Sequence, residues 1–271
     1  MPELAEVEYF RRQWDAGIGK KVAGVSWHKK ARVNRGLNIA KISRLLQGAT
    51  LLSSHAAAKQ MAFRFSNGIW IGLHLGMTGR LECGDDQRAP TPYDHFVIKM
   101  LRGKNLFFVD PRQFGRVQFF QGEGVPEWWA KIAPAILSKD FNVEAVAAFL
   151  KRRARAPIKS VLLMQERFPG IGNWMADEIL WRAGFHPAAK AGNFGPTATK
   201  KLTTTLKKVC TDAMRVIGKD WSDPPHTWLF NHRWQDGGKC PHSKEPLRRT
   251  VIGGRTTCWS PTKQKLGAER R

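Results

Sequence analysis

Met1-Pro2-Glu3-Leu4-Ala5-Glu6-Val7-Glu8-Tyr9-Phe10-Arg11-Arg12-Gln13-Trp14-Asp15 opens the chain. Leu4, Val7, Phe10 and Trp14 recur at steps of three and four, which puts them on one face of a helix over residues 3–15. From residue 22 to about 120 the period shortens. Segments 61–65, 69–75, 96–100 and 106–109 are β-like, and several alternate. Ser66-Asn67-Gly68, Gly84-Asp85-Asp86 and Arg102-Gly103-Lys104-Asn105 are turn signals between them. A leading helix followed by several short strands suggests an antiparallel sandwich or barrel. Residues 122–134 read as a linker, and 142–152, 160–165, 174–183 and 197–217 as helices. From Trp221 the chain is rich in Trp, Arg and Gly and reads as a hairpin module, ending in a basic tail from Lys263. The expectation is an α+β chain of three parts, 1–121, 122–220 and 221–271.

Composition narrows the partner. The 271 residues carry 45 Lys and Arg against 22 Asp and Glu, a net charge of +23, and 42% are hydrophobic. That excess favours a polyanion, with nucleic acid ahead of an anionic membrane or a merely basic surface. No run of 18 apolar residues and no signal-like segment occurs, so no membrane is expected. Cys83, Cys210, Cys240 and Cys258 form no CxxC pair, which fits a reducing, intracellular setting.

Pro2 carries chemistry if Met1 is clipped. A free α-amine has a pKa of about 7.7–8.0, so a useful fraction is neutral. A neutral secondary amine can attack a sugar C1′ and form an iminium ion. The helix that follows presents partial positive charge, which disfavours protonation of that amine. Glu3 stands beside it as a proton donor. On these two residues alone, the reading of Pro2 as a good first helical residue is favoured. Gly170-Ile171-Gly172-Asn173 precedes a helix, and helix-start N–H groups bind phosphate. The basic stretch 151–159 lies just before it.

Four blocks resemble one family, the formamidopyrimidine-DNA glycosylases. They are the opening Met1–Glu8 stretch, His74-Leu75-Gly76-Met77-Thr78-Gly79-Arg80, Asp110-Pro111-Arg112-Gln113-Phe114-Gly115, and Gly170–Asn173 with Glu178 and His186-Pro187. They occur in family order and span nearly the whole chain. The resemblance implies an N-terminal helix with an antiparallel β-sandwich, a helix–two-turn–helix domain, and a C-terminal hairpin finger. It implies a bifunctional glycosylase and β,δ-lyase acting as a monomer on double-stranded DNA with oxidised bases or abasic sites, in a bacterial cytoplasm or eukaryotic nucleus.

Roles follow from the same resemblance. Pro2 is the nucleophile, Glu3 the acid that helps open the sugar, and Lys59 supports base departure and elimination. Glu6 is structural or orders water. Met77, Arg112 and Phe114 fill the space left by an extruded base: a thioether, a planar donor fork and an aromatic wedge. Without the resemblance, Met77 and Phe114 read as core and Lys59 as a solvated charge. Arg155, Lys159 and Asn173 match DNA contacts. Tyr93 stands where many relatives have a DNA-contacting histidine. Arg255, in Gly253-Gly254-Arg255-Thr256, matches a hairpin-tip arginine that grips phosphate and assists δ-elimination.

The chain departs from the family at the finger. Laid on the four-cysteine pattern, Cys240 survives while Ser243, Ser260 and Lys263 replace the other ligands. A structural zinc needs four N or S donors in tetrahedral array, so no metal and no cofactor are expected. Trp221, Trp228, Trp234 and Trp259 are expected to hold the hairpin by packing. This resembles a plant-type, zincless-finger branch. Ala5 replaces a second proline of the opening motif, which leaves the amine intact. Oxidised purines (formamidopyrimidines, 8-oxoguanine, hydantoins) are the expected substrates. The alternatives are a Nei-like enzyme for oxidised pyrimidines, a non-catalytic damaged-DNA binder, and a general nucleoid protein.

Overall fold

The structure, a computed structural model, describes residues 1–28 and 31–267; the last four residues of the expected third part lie outside it. The chain forms two compact units, Met1–Ile132 and Ala133–Arg271.

In the first unit, α1 spans Leu4–Gln13. Glu3 is its N-cap, and Glu3 and Glu6 close a reciprocal capping box, with the Glu3 N–H donating to Glu6 Oε2 at 2.5 Å. Pro2 therefore precedes the cap rather than serving as the first helical residue. The helix buries Ala5 and Val7, and Trp14 just beyond it is fully buried with its indole N–H on the Phe107 carbonyl at 3.2 Å. Among the described residues eight strands follow: β1 Val22–Trp27, β2 Leu51–Ala57, β3 Gln60–Phe65, β4 Ile69–His74, β5 Arg80–Gly84, β6 Asp94–Met100, β7 Asn105–Val109 and β8 Arg116–Gln121. They pair antiparallel in two four-stranded sheets, ordered β1-β6-β7-β5 and β2-β3-β4-β8. One core joins them: Phe96, Ile98, Leu106 and Phe108 from the first sheet, and Phe63, Phe65, Ile69 and Ile71 from the second. Each such side chain contributes about 1.5–3 kcal/mol by leaving water. The sandwich is thus the alternative realised.

A helix interrupts the region read as strands alone. It is α2, Ile39–Leu46, capped by Asn38, whose side chain accepts the Lys41 N–H at 3.0 Å. It buries Ile42 and Leu46. The residues read as a linker include a short helix, α3, Glu127–Ala130.

The second unit begins with helices α4 Val143–Arg152, α5 Ile158–Leu162, α6 Asn173–Ala183 and α7 Pro196–Asp220. α6 is buried almost throughout, including Asp177 and Glu178, and ends on Gly184 at φ +78°, a left-handed position suited to glycine. α7 carries Pro196 in its first turn and buries Leu202, Leu206, Val209, Ala213 and Ile217 at helical spacing. The helix read over 197–217 runs on to Asp220. A hairpin closes the unit, β9 Arg248–Ile252 and β10 Arg255–Trp259. Gly253 and Gly254 both have positive φ (58° and 73°), as a two-residue turn between right-twisted strands demands. Among the described residues, no helix is long and apolar enough to cross a membrane.

Candidate active site and nucleic-acid interface

Strand register gathers the first unit's candidates at one end of the sandwich. β3 starts at Gln60 opposite His74, the last residue of β4, and His74 also faces Arg116, the first residue of β8. Lys59, loop 75–79 and loop 111–115 therefore leave the same end of that sheet. In the other sheet Val109 faces both Arg80 and Asp94, which brings Tyr93 and Asp110 to the flanks of loop 75–79. Lys59 occupies a two-residue turn with Ala58, whose φ of 57° costs a non-glycine residue about 1–2 kcal/mol. Burial first, and then the Lys59 ammonium, hold His74 below the usual histidine range. Its Nδ1 accepts the Gly76 N–H at 3.0 Å, so the neutral ring also shapes the next loop.

Met77, Phe114 and Tyr93 are 43%, 52% and 46% exposed, which rules out the reading of Met77 and Phe114 as core. Arg112 is exposed too, its guanidinium 4.8 Å from the centre of the Phe114 ring. The two loops touch through backbone. A Cβ on Gly76 would lie 2.4 Å from the Phe114 carbonyl carbon, and Gly76 has φ +64°.

Asp110 organises both loops, and sequence reading passed over it. Its fully buried carboxylate accepts the Thr78 hydroxyl at 2.9 Å and the Gly115 N–H at 2.7 Å, with a longer contact from the Arg112 N–H at 3.3 Å. Its carbonyl meets His95 Nε2 at 2.9 Å, and its N–H reaches the Tyr93 carbonyl at 3.1 Å. An acid between two exposed motif loops was the available signal. Gln113 adds a further tie, accepting the Arg32 N–H at 2.8 Å from a left-handed backbone at φ 54°. Pro2 is partly buried, Met1 is 53% exposed, and Glu3 is buried at the helix cap.

In the second unit, Asn173 begins α6 after Gly170, which has φ +90°. Its amide N–H₂ donates to the Thr256 carbonyl at 2.9 Å, tying the loop to the hairpin. Arg255 is exposed at the hairpin turn, and Arg155 is exposed beyond α4. Lys159 departs from the DNA-contact expectation. It is fully buried, and its ammonium pairs with Asp177 and donates to the Asn173 carbonyl at 2.6 Å. A charge run read along the sequence cannot show that one member turns inward to meet a carboxylate 18 residues away.

Comparison with known proteins accounts for these features together. Residues 1–117 match the formamidopyrimidine-DNA glycosylase N-terminal domain, and residues 132–223 match the formamidopyrimidine-DNA glycosylase H2TH domain. A formamidopyrimidine-DNA glycosylase of Solibacter usitatus is 34% identical over 98% of this chain and 100% of its own length. The chain belongs to the formamidopyrimidine-DNA glycosylase family. A relative of the same name from Arabidopsis thaliana is 29% identical over 98% of this chain and 71% of its own length. The fold is also that of MutM in complex with DNA containing carbocyclic 8-oxo-G, with a TM-score of 0.86, 24% identity, and coverage of 97% of this chain and 100% of that one. The Lactococcus lactis glycosylase bound to DNA with an AP site aligns at TM-score 0.84 and 23% identity, covering 97% and 99%.

Against the four-cysteine finger pattern of formamidopyrimidine-DNA glycosylases, this finger's donor set does not fit a structural zinc. Cys240 is buried, but Lys263 directs its ammonium over the Trp181 ring at 4.3 Å. Ser260 is buried, its hydroxyl engaged with the Thr262 hydroxyl at 3.1 Å, and its backbone N–H donates to Gln264 Oε1 at 2.8 Å. Burial, and then the Lys263, Arg182 and Lys244 cations, hold His242 below its usual range, an unfavourable field for a dication. Burial and the Asp177 carboxylate push the Cys258 thiol up to about 12, keeping it protonated. Among the described residues, no group of three or more His, Cys, Asp or Glu is arranged to hold a metal ion.

The packing expectation for this family member's finger needs correction. Trp228 and Trp259 are buried, but Trp221 and Trp234 are 46% and 55% exposed. The finger's apolar cluster instead centres on Trp181 of α6, with Leu229, Cys240, Leu247 and Cys258. A finger core completed by a helix outside it is invisible to a reading of residues 221–271 alone.

Proposed function

We propose that this chain is a bifunctional DNA glycosylase and AP lyase of base excision repair that removes oxidised purines from duplex DNA. Formamidopyrimidines, 8-oxoguanine and hydantoins are the substrate class. The carrying observation is the set of exposed Met77, Arg112 and Phe114 on two loops braced by one buried carboxylate. Solvent-exposed apolar side chains on a rigid support suit insertion where a base has left the stack.

The chemistry begins when removal of Met1 frees the Pro2 nitrogen. That amine attacks C1′ as the damaged base leaves with a proton; the C1′–O4′ bond then breaks, O4′ taking a proton, which gives an open-chain protein–sugar iminium. The positive nitrogen acidifies C2′, and loss of a C2′ proton expels the 3′-phosphate oxygen in β-elimination. A second elimination expels the 5′ side. Glu3, its backbone fixed by the Glu6 cap, is the acid for ring opening. Lys59, at the same sandwich end as the wedge loops, supports base departure and β-elimination. Tyr93, Arg155 and Asn173 contact the DNA backbone, and Arg255 grips phosphate and assists δ-elimination. The finger needs no zinc, in keeping with a plant-type, zincless branch. Such an enzyme works as a monomer where the genome is, in a bacterial cytoplasm or a eukaryotic nucleus.

Borohydride trapping on a duplex with an abasic site tests this reading. A covalent adduct is expected from the processed chain and none from Pro2→Gly; a gel shift with no adduct would mean a binding protein. A cleavage panel of 8-oxoguanine, a hydantoin, a formamidopyrimidine and thymine glycol tests the substrate class. Preferential cleavage at thymine glycol would overturn the purine reading.

A further inference from the structure

We propose that Asp177 is a positioning residue that seats the β9–β10 hairpin so that Arg255 can act in the lyase sequence. This rests on the reading of Arg255 given above. One Asp177 oxygen pairs with the Lys159 ammonium. The other accepts from Arg233 Nη2 at 2.6 Å, Arg233 Nε at 3.2 Å and the Cys258 backbone N–H at 3.0 Å. Lys159, Asp177, Arg233 and Cys258 are all buried, between 0% and 5% exposed.

A single carboxylate thus joins α5, α6, the segment after α7, and β10. Two buried cations share that one anion, so removing the carboxylate takes a buried counter-charge from both. A buried ion pair is weak support for stability, and here its proposed role is geometric.

The hairpin meets the helices at three successive points. Gly253 lies so close to Ser160 that a Cβ there would sit 2.0 Å from its Oγ. Asn173 holds the Thr256 carbonyl, and Asp177 holds the Cys258 N–H. Arg255 lies between the first two contacts. Cys258 is three residues further on, about 10 Å along an extended strand. The Asp177 bond therefore stops β10 from sliding along its own axis. Lys159 couples the points, because its ammonium bonds both Asp177 and the Asn173 carbonyl.

The test uses the full, Met1-processed chain on a duplex with an abasic site. β- and δ-elimination products are resolved on a gel, and borohydride trapping reports Pro2 chemistry. Arg255→Ala is the control and should lower the ratio of δ to β product at least tenfold. Asp177→Asn should lower it by a similar factor, keep trapping within threefold, and add nothing further when combined with Arg255→Ala. If Arg255→Ala leaves the ratio unchanged, the reading of Arg255 fails. If Arg255→Ala lowers it and Asp177→Asn does not, the inference fails. Should Asp177→Asn not fold, Lys159→Met removes one cation and leaves Asp177 bonded to Arg233 and Cys258. Combined with Asp177→Asn it relieves part of the buried positive charge while the Asp177 carboxylate is still lost; this double variant should lower the ratio as Arg255→Ala does, and an unchanged ratio there overturns the proposal.

Discussion

Asp110→Ala tests whether one buried acid holds both wedge loops. The carboxylate accepts two well-formed bonds, from the Gly115 N–H at 2.7 Å and the Thr78 hydroxyl at 2.9 Å. Hydrogen bonds to a charged acceptor contribute about 1.5–3 kcal/mol each. The Arg112 contact at 3.3 Å adds little. Water entering the vacated space recovers part of the loss, so the loops should lose about 2–4 kcal/mol of local stability. At about 1.4 kcal/mol per factor of ten, the Gly115 amide should exchange with solvent about 30- to 10³-fold faster. Amide exchange measures this directly, with amides in the middle of β4 as internal reference. They should change far less, because β4 is paired on both sides. KM for lesion-containing duplex should rise with the loop disorder, while trapping at a pre-formed abasic site should survive. A Gly115 amide exchanging within about threefold of the parent rate would show that Asp110 does not brace the loops.

Lys59→Met should raise the His74 titration midpoint toward the ordinary 6.5, because the Lys59 charge is one of two causes of its depression; an unmoved midpoint by NMR would place the ammonium elsewhere. The depressed His74 value also predicts a pH dependence. The unfolded chain takes up this proton more readily, so the group's contribution is whole above about pH 6.5 and is lost as pH falls through the folded value. His74→Gln should flatten the acid side of thermal unfolding as pH falls below about 6.5. Gly253→Ala should destabilise the hairpin by at least the roughly 1–2 kcal/mol of a left-handed alanine. Adding Ser160→Ala should recover only the steric part of that loss, since the positive φ remains. Chelation should leave both Tm and strand cleavage unchanged, and stoichiometric zinc by elemental analysis would refute the reading of Lys263 and Ser260.

Local chemistry in the chain determined much of this protein. Apolar steps of three and four marked α1, the helices α4, α6 and α7 were read close to their places, and short β-like runs between turn signals marked four sandwich strands. Asn38 followed by Ile39, Ile42 and Leu46 carried the signal for α2 but was lost among strand-like neighbours. The motif loops with Met77, Arg112 and Phe114 were legible only through the family resemblance, since Met77 and Phe114 on their own read as core. Tertiary structure alone decided which charges turned inward. Lys159 sits in a basic run yet is buried, while Asp110 and Asp177 became organising centres. Their partners lie far away in sequence: Thr78 is 32 positions from Asp110, and Cys258 is 81 positions from Asp177. A carboxylate's environment is set by whatever folding brings against it, and periodicity reports only the face a residue shares with its near neighbours.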